Sequence, residues 1–316
     1  LVHPQGAATR RVGSQYIADV KTSRLKTRLI PFEFSTTQTY ILEFGNTYIR
    51  FYKDKGQILS SGSAYEISSP YLTAELFDIK FAKSADVMYI THPNHEVMKL
   101  SRTGHTSWTL AQVDFTDGPY LATNSTTTTL TPASAGVATG VNITASAVTG
   151  INGGAGFLAT DVGRIISFNG GKAKITARTS TTVVVCTITT AFTNTNTTAA
   201  FNLGAFSDTT GHPSCVSFFE QRLVFAGTTD EPQTLFFSKA GDYENMTTGT
   251  NADDAMVYTI ASNQVNAIRY MKAVRTLVVG TTGGEFTVSA DGTDASITPT
   301  NITIKRQSSY GSANVD

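Results

Sequence analysis

The sequence is poor in charged residues, and it lacks long apolar runs. Charged side chains make up 15% of the 316 residues, and Lys plus Arg equals Asp plus Glu at 24 each. Because the charges balance, no global field draws the chain to nucleic acid or to an anionic membrane. No apolar run reaches the roughly 18 residues that a transmembrane helix needs, and no charged-then-apolar leader pattern opens the chain. We therefore expect no membrane-spanning segment.

Cysteine is also scarce. Cys186 and Cys215 are the two that occur, both in predicted strands, and no CxxC spacing accompanies them. Buried free thiols are therefore favoured over a disulfide.

Residues for catalysis, metal binding and phosphate binding do not occur in workable patterns. The five histidines are His3, His92, His95, His105 and His212. His92 and His95 flank a turn proline, and no Cys or third His joins them in sequence, so a turn is favoured over a zinc site. The glycine clusters at 153–156 and 170–171 mimic phosphate loops but precede no helix, and they read as turns. The sequence therefore predicts no enzyme, no cofactor and no metal ion.

The acidic residues also form no recognisable metal-binding motif, and they leave one enzymatic alternative open. The Asp253-Asp254 pair and the segment 291–294 lack the regular oxygen offsets of a calcium loop, so structural loops are favoured. Four glutamates sit in strand patterns, where outward-facing or inter-strand roles are expected: Glu33, Glu43, Glu220 and Glu285. A propeller glycosidase stays open as an alternative, because its two carboxylates come from distant blades.

Short apolar strands, separated by Gly, Asp and Pro, fill most of the chain. Residues 218–291 form two successive units of about forty residues each, the spacing of propeller blades or stacked antiparallel meanders. Two similar units occupy 28–53 and 79–110. Gly45-Asn46 predicts a hairpin, with Phe32, Phe34 and the set Tyr48, Arg50 and Tyr52 expected on one face of its sheet.

The stretch 121–206 has a different composition, with 21 threonines and only five charged residues. Its apolar pattern predicts a three-strand meander with a turn at Asn169-Gly170, and hence an inserted small β-barrel or sandwich. No long helix is expected; the best helical candidate is a short turn at 74–77. The predicted fold class is all-β, with propeller-like antiparallel blades and an inserted small β-barrel or sandwich domain.

These patterns divide the chain into three predicted parts: a basic N-terminal arm at 1–28, a propeller-like body at 29–120 and 207–316, and a Thr-rich inserted β domain at 121–206. The arm contains one acidic residue, Asp19, against several basic residues: Arg10, Arg11 and four later Lys or Arg residues. Such an arm suits a phosphate backbone or an acidic neighbour. The favoured interpretation is a solvated arm, or a strand docked on another subunit. Because the chain begins at Leu1 and ends at Asp316, we expect it to be a piece of a longer one.

Seven runs of the sequence resemble the tail nozzle, or tail tubular protein B-like, family of short-tailed bacteriophages, also called stabilisation proteins. The runs are 28–35 (RLIPFEFS), 40–45 (YILEFG), 99–108 (KLSRTGHTSW), 218–227 (FFEQRLVFAG), 238–245 (SKAGDYEN), 261–269 (ASNQVNAIR) and 306–311 (RQSSYG). They cover the four blade-like units and skip most of the Thr-rich middle.

The resemblance implies a structural virion protein of the phage tail, made in the host cytoplasm. It implies a hexameric ring that attaches to the portal, adaptor and other tail proteins, with a channel through which double-stranded DNA passes. Members of the family are longer, so the propeller-like body is expected to be incomplete here. The alternative function is a receptor- or carbohydrate-binding β protein of the phage tail, for which Trp108 and Tyr120 would supply stacking platforms.

Overall fold

The chain folds almost entirely into antiparallel β-sheets, as a computed structural model shows for residues 4, 6, 13–35, 38–261, 265–292 and 295–314. The predicted all-β class is confirmed. The stretch 74–77, expected to be a short turn, forms turns and no helix. The helical segments of the described residues are two 3-10 turns, Asn152–Gly154 and Ala159–Asp161. Two compact units divide the chain: Leu1–Phe77 with Arg102–Leu110, and Asp78–Ser101 with Ala111–Asp316.

The first unit is built on one meander, with strands ordered β1-β2-β3-β4 and with β7 also paired to β3. A further small hairpin joins β5 to β6. The strands are Arg28–Glu33 (β1), Thr39–Gly45 (β2), Tyr48–Lys53 (β3), Gly56–Gln57 (β4), Leu59–Ser60 (β5), Ser63–Ala64 (β6) and Glu66–Ser68 (β7). The hairpin predicted at Gly45-Asn46 is confirmed, because Gly45 pairs with Tyr48 across the turn.

An aromatic core lies on one face of this meander. The Trp108 ring is 4.5 Å from the Phe51 ring, 5.0 Å from Phe32 and 5.3 Å from Tyr40, measured between centroids. Trp108 is only 5% exposed. The expectation that the Tyr48, Arg50 and Tyr52 set shares a face with Phe32 is wrong. Phe32 pairs with Tyr40, which lies on the face opposite the set.

Three further meanders of four strands each follow, with strands ordered as they occur in the chain, and the last two lie wholly in the second unit. The first consists of Lys80–Ser84 (β8), Val87–His92 (β9), His95–Gly104 (β10) and Ser107–Gln112 (β11). Within it, the segment Arg102–Leu110 belongs to the first unit. The second is Cys215–Phe219 (β18), Arg222–Ala226 (β19), Thr234–Phe237 (β20) and Met256–Thr259 (β21). The third is Ile268–Ala273 (β22), Leu277–Thr281 (β23), Gly284–Ser289 (β24) and Thr303–Ser308 (β25). Strand β18, the first of its sheet, contacts β8 and β22, the first strands of the other two.

A six-stranded curled sheet, shaped like a half-barrel, lies between the first and second of these meanders in the chain. Its order is β12-β13-β16-β15-β14-β17, with strands Leu130–Pro132 (β12), Val141–Ala145 (β13), Ile165–Phe168 (β14), Gly171–Arg178 (β15), Val183–Thr190 (β16) and Phe201–Leu203 (β17). The predicted meander and its turn at Asn169-Gly170 are confirmed. Two register shifts between β15 and β16 bend these strands, which favours the curl.

The curled sheet has its own apolar core on one face, because buried and exposed residues alternate along its strands. The core is formed by Ile143, Ile166, Ile175, Ile188 and Phe157, among others. This explains why a Thr-rich stretch folds: threonines occupy the outward positions and β-branched apolar residues the inward ones.

Candidate functional site

The residues that the sequence singled out for chemistry are placed mainly in turns and cores. His92 ends β9 and His95 begins β10, so they flank the turn as predicted, with ring centroids 5.0 Å apart. The Asn94 amide donates to His92 Nδ1 at 3.1 Å. His105 Nδ1 lies 2.7 Å from the Tyr40 hydroxyl, and His212 Nε2 lies 2.9 Å from Asp208 Oδ1.

Both cysteines are buried free thiols, as predicted. Cys215 lies beside a cavity of about 530 Å³ that the first strands of the three meanders line. Burial raises the pKa of its thiol, although the nearby Lys80 ammonium opposes that shift. Lys80 donates to the Arg269 carbonyl and to Asn314 Oδ1 and lies 3.6 Å from Cys215 Sγ. A buried thiol with a raised pKa carries little thiolate and is a poor nucleophile.

The predicted glutamates have local roles, with one correction. Glu43 is fully buried on β2 and accepts hydrogen bonds from the Tyr48 hydroxyl at 2.6 Å and from the Tyr52 hydroxyl, an inter-strand role as expected. Glu285 accepts a hydrogen bond from the Ser308 hydroxyl across β24 and β25. The strand placement of Glu220 is wrong, because Glu220 and Gln221 form the turn between β18 and β19, both with positive φ.

Arg222 holds together the loop that contains Asp253 and Asp254. Its side chain is 1% exposed, and its guanidinium donates to four backbone carbonyls. These are the carbonyls of Ser238 at 2.8 Å, Asp254 at 2.7 Å, Asp253 at 3.3 Å and Ala252 at 2.6 Å. The Asp254 carboxylate accepts from the Asn251 amide and pairs with Lys239 at 3.1 Å. Both aspartates thus lie in a structural loop, as the sequence predicts.

The remaining described residues that the sequence singled out lie in turns, in the N-terminal arm and in the aromatic core. The glycines at 153 and 154 lie in a 3-10 turn, and Gly170 lies in the β14–β15 turn. In the arm, Lys21 pairs with Glu66 on β7 at 2.6 Å. Trp108 is buried in the aromatic core, so it offers no exposed stacking platform for the carbohydrate-binding alternative. Four residues that the sequence singled out lie outside the described part of the chain: His3, Arg10, Arg11 and Asp294.

Asp117 joins the curled sheet to the second meander. Its carboxylate is 8% exposed and pairs with Lys172 of β15 at 2.8 Å. It also accepts from the Tyr120 hydroxyl at 2.6 Å and from the Thr247 hydroxyl at 2.9 Å. Burial alone would raise the pKa of Asp117, but the hydrogen bonds from Lys172, Tyr120 and Thr247 outweigh burial and hold that pKa below its ordinary value.

Replacing Asp117 with asparagine is expected to lower the free energy of unfolding at pH 7 by about 1–3 kcal/mol, because a partly buried ion pair is lost. A carboxylate with a lowered folded-state pKa contributes stability above its unfolded pKa of about 3.9 and loses it as the pH falls through the folded value. The gap between wild type and Asp117→Asn should therefore shrink below about pH 4. Urea unfolding followed by circular dichroism from pH 7 to acid measures it.

The control is Asp114→Asn, which changes an exposed carboxylate close in sequence. This variant should stay within about 0.5 kcal/mol of wild type at pH 7. An Asp117→Asn gap that is as large in acid as at pH 7 would contradict the ion-pair role.

A cleft of about 540 Å³ lies beside Asp117 in the second unit and is one candidate site there. One wall is a face of the β20–β21 hairpin, where Thr234 pairs with Thr259 and Phe236 with Val257. The facing wall is the β14–β17 pair of the curled sheet, where Ser167 lies opposite Asn202. Cross-strand partners share a sheet face, so each wall presents its side chains to the same space. The remaining lining residues are Asp117, Tyr120, Leu121, Ala122, Thr123, Glu231, Thr247 and Thr248.

Sequence reasoning missed most of this cleft. Of its lining, only Tyr120 was singled out as a binding residue, and the structure places it there, half-buried. The other side chains come from segments up to about 140 positions apart, as from Asp117 to Thr259, and no local spacing connects them.

The described part of the chain contains no helix with the length and hydropathy needed to cross a bilayer. Comparison with protein-family models and with curated protein sequences gives no match.

Proposed function

We propose that the chain is a structural subunit of a phage tail nozzle, one that joins the portal and adaptor in a hexameric ring and leaves a channel for the genome. The proposal rests on the resemblance of the seven sequence runs to that family. The structural observation that supports it is that polar residues of the run 218–227 hydrogen-bond to the backbone and hold the fold of their own unit.

The polar residues of this run bond to the backbone of their own unit. Glu220 Oε2 accepts from the Ile297 amide at 2.7 Å. In the same turn the main-chain carbonyl of Gln221 accepts from the Gly241 amide at 2.8 Å. Arg222 donates to the four carbonyls described above. Glu220 and Arg222 of this run therefore hold the fold of their own unit, which agrees with a subunit that acts through its architecture.

Charge supports the same proposal. With equal numbers of acidic and basic residues and a low charged fraction, the chain offers little attraction to phosphates. A channel through which DNA slides should not hold the DNA by strong phosphate contacts. Low charge also suits surfaces that neighbouring subunits cover.

Electron microscopy of the complete gene product, alone and mixed with its portal and adaptor proteins, tests the proposal. We expect sixfold rings with an open channel, stacked on the adaptor when it is present. A complete gene product that stays monomeric at all concentrations, and that leaves purified portal–adaptor complexes undecorated, would contradict the proposal. Tails reconstituted without the adaptor are the control for non-specific stacking.

A further inference from the structure

We propose that the cleft between the β20–β21 hairpin and the curled sheet binds a neutral saccharide. The first argument is charge. Asp117 and Glu231 line the cleft, whereas Lys, Arg and His are absent from its fourteen lining residues, all of which lie in the described part of the chain. Lys172 neutralises Asp117, which leaves Glu231 to repel anions. Phosphorylated and carboxylated ligands are therefore disfavoured.

The second argument is unused hydrogen-bonding capacity. Asn202 Nδ2 donates to the Leu121 carbonyl at 3.1 Å and to Thr123 Oγ1 at 2.9 Å, which fixes the amide plane. No described residue donates to Asn202 Oδ1. Glu231 Oε2 accepts from the Thr234 hydroxyl at 2.8 Å, and no described residue donates to its Oε1. These two fixed acceptors, with the Thr123 and Thr248 hydroxyls, suit a ligand that carries several hydroxyl groups.

The third argument is the apolar surface between these polar groups. Leu121 and the exposed Val257 line the same cleft, and the half-buried Tyr120 is held in place by its hydrogen bond to Asp117. Sugar rings present hydroxyls at their edges and C–H groups on their faces, so they need both kinds of surface. The volume, about 540 Å³, lies within the usual range of roughly 300–1,000 Å³ for ligand sites and has room for a mono- or disaccharide.

This site is independent of the nozzle proposal, because it uses neither the sequence runs nor a ring. Saturation-transfer NMR on the whole chain tests it, with glucose, galactose, maltose and lactose as probes. Each probe is paired with its methyl glycoside, which distinguishes a free reducing sugar from a unit of a glycan chain. Glucuronate and glucose 6-phosphate are the anionic comparators. We expect at least one neutral sugar to bind and the anionic sugars to bind at least about tenfold more weakly.

Three variants localise the binding: Asn202→Ala, Glu231→Gln and Thr248→Ala. Asn202→Ala removes a fixed acceptor and should weaken binding about tenfold, the value of one well-placed hydrogen bond. Glu231→Gln keeps the side-chain shape and Thr248 is exposed, so both of these variants are expected to fold. They therefore still test the site if Asn202→Ala does not fold. Asn142→Ala, which changes an exposed asparagine elsewhere on the curled sheet, is the matched control. The proposal is overturned if no neutral sugar binds, if anionic sugars bind equally well, or if the folded cleft variants bind like wild type.

Discussion

Replacing Arg222 with methionine is expected to lower the free energy of unfolding by about 3 kcal/mol, with loss of structure concentrated in the loop from Ser238 to Asp254. The side chain is buried and donates to four carbonyls of that loop. Methionine fills similar space but donates nothing, so these carbonyls lose their partners together. Each acceptor left unsatisfied in a buried site costs about 1–3 kcal/mol, and relaxation of the loop into water recovers part of that cost.

Hydrogen exchange measured by mass spectrometry localises the effect of Arg222→Met. Peptides that cover 238–254 should exchange faster, while those of the curled sheet should keep their wild-type rates. Arg222→Lys should be intermediate, because one ammonium cannot reach all four carbonyls. The matched control is Arg275→Met, which changes an exposed arginine in the β22–β23 turn and should stay within about 0.5 kcal/mol of wild type. Equal stability of Arg222→Met and Arg275→Met would show that the bonds to the loop contribute nothing.

The sequence predicts the strands and tight turns well, because both depend on local chemistry. Hairpins close at Gly45-Asn46 and at Asn169-Gly170 where expected. Asn169 and Gly170 take the positive φ that such a turn requires, whereas Thr47 takes it in the first hairpin. The face of β3 is a harder problem. Tyr48 and Tyr52 alternate with Ile49 and Phe51, so both faces of the strand look apolar. Only the pairing with β2 decides that Ile49 and Phe51 enter the core.

Side-chain networks could not be predicted, because their members converge from distant positions or use the backbone. Asp117 meets Lys172 and Thr247, which lie 55 and 130 positions away in the chain. Arg222 binds carbonyl oxygens, which every residue carries and which therefore give no sequence signal. The cleft wall formed by Ser167 and Asn202 requires the β14–β17 pairing, which joins residues 35 positions apart in the chain.

A buried ion pair in the curled sheet gives the largest expected effect. Asp161 and Arg164 have side chains 0% and 1% exposed, and their charged atoms lie 2.9 Å apart. Asp161 also accepts from the Leu158 amide and from Asn152 Nδ2, both at 2.7 Å. Arg164 donates in turn to Asn152 Oδ1 and to the Gly204 carbonyl, both at 2.7 Å. The network thus ties a 3-10 turn to the segment that follows β17.

Asp161→Asn is expected to destabilise the curled sheet by about 3–5 kcal/mol, because it leaves the buried Arg164 charge without a counter-ion. Arg164→Met should cost a similar amount, since it leaves the Asp161 carboxylate buried and uncompensated. The double variant should cost far less than the sum of the two, because the lone charge that dominates each single change is then absent.

A double-mutant cycle measures this coupling from urea unfolding followed by circular dichroism, with hydrogen exchange of strands β13 to β16 as the local readout. The coupling energy should reach at least about 2 kcal/mol. Additive effects, within about 0.5 kcal/mol, would mean that the two charges act independently although they lie only 2.9 Å apart. Arg178→Met is the matched control on the same sheet. Its guanidinium donates to the Phe157 carbonyl, but the side chain is exposed and has no buried partner charge. Water solvates the exposed Arg178 guanidinium but does not reach the buried Arg164–Asp161 pair. Arg178→Met should therefore cost much less free energy of unfolding than Arg164→Met.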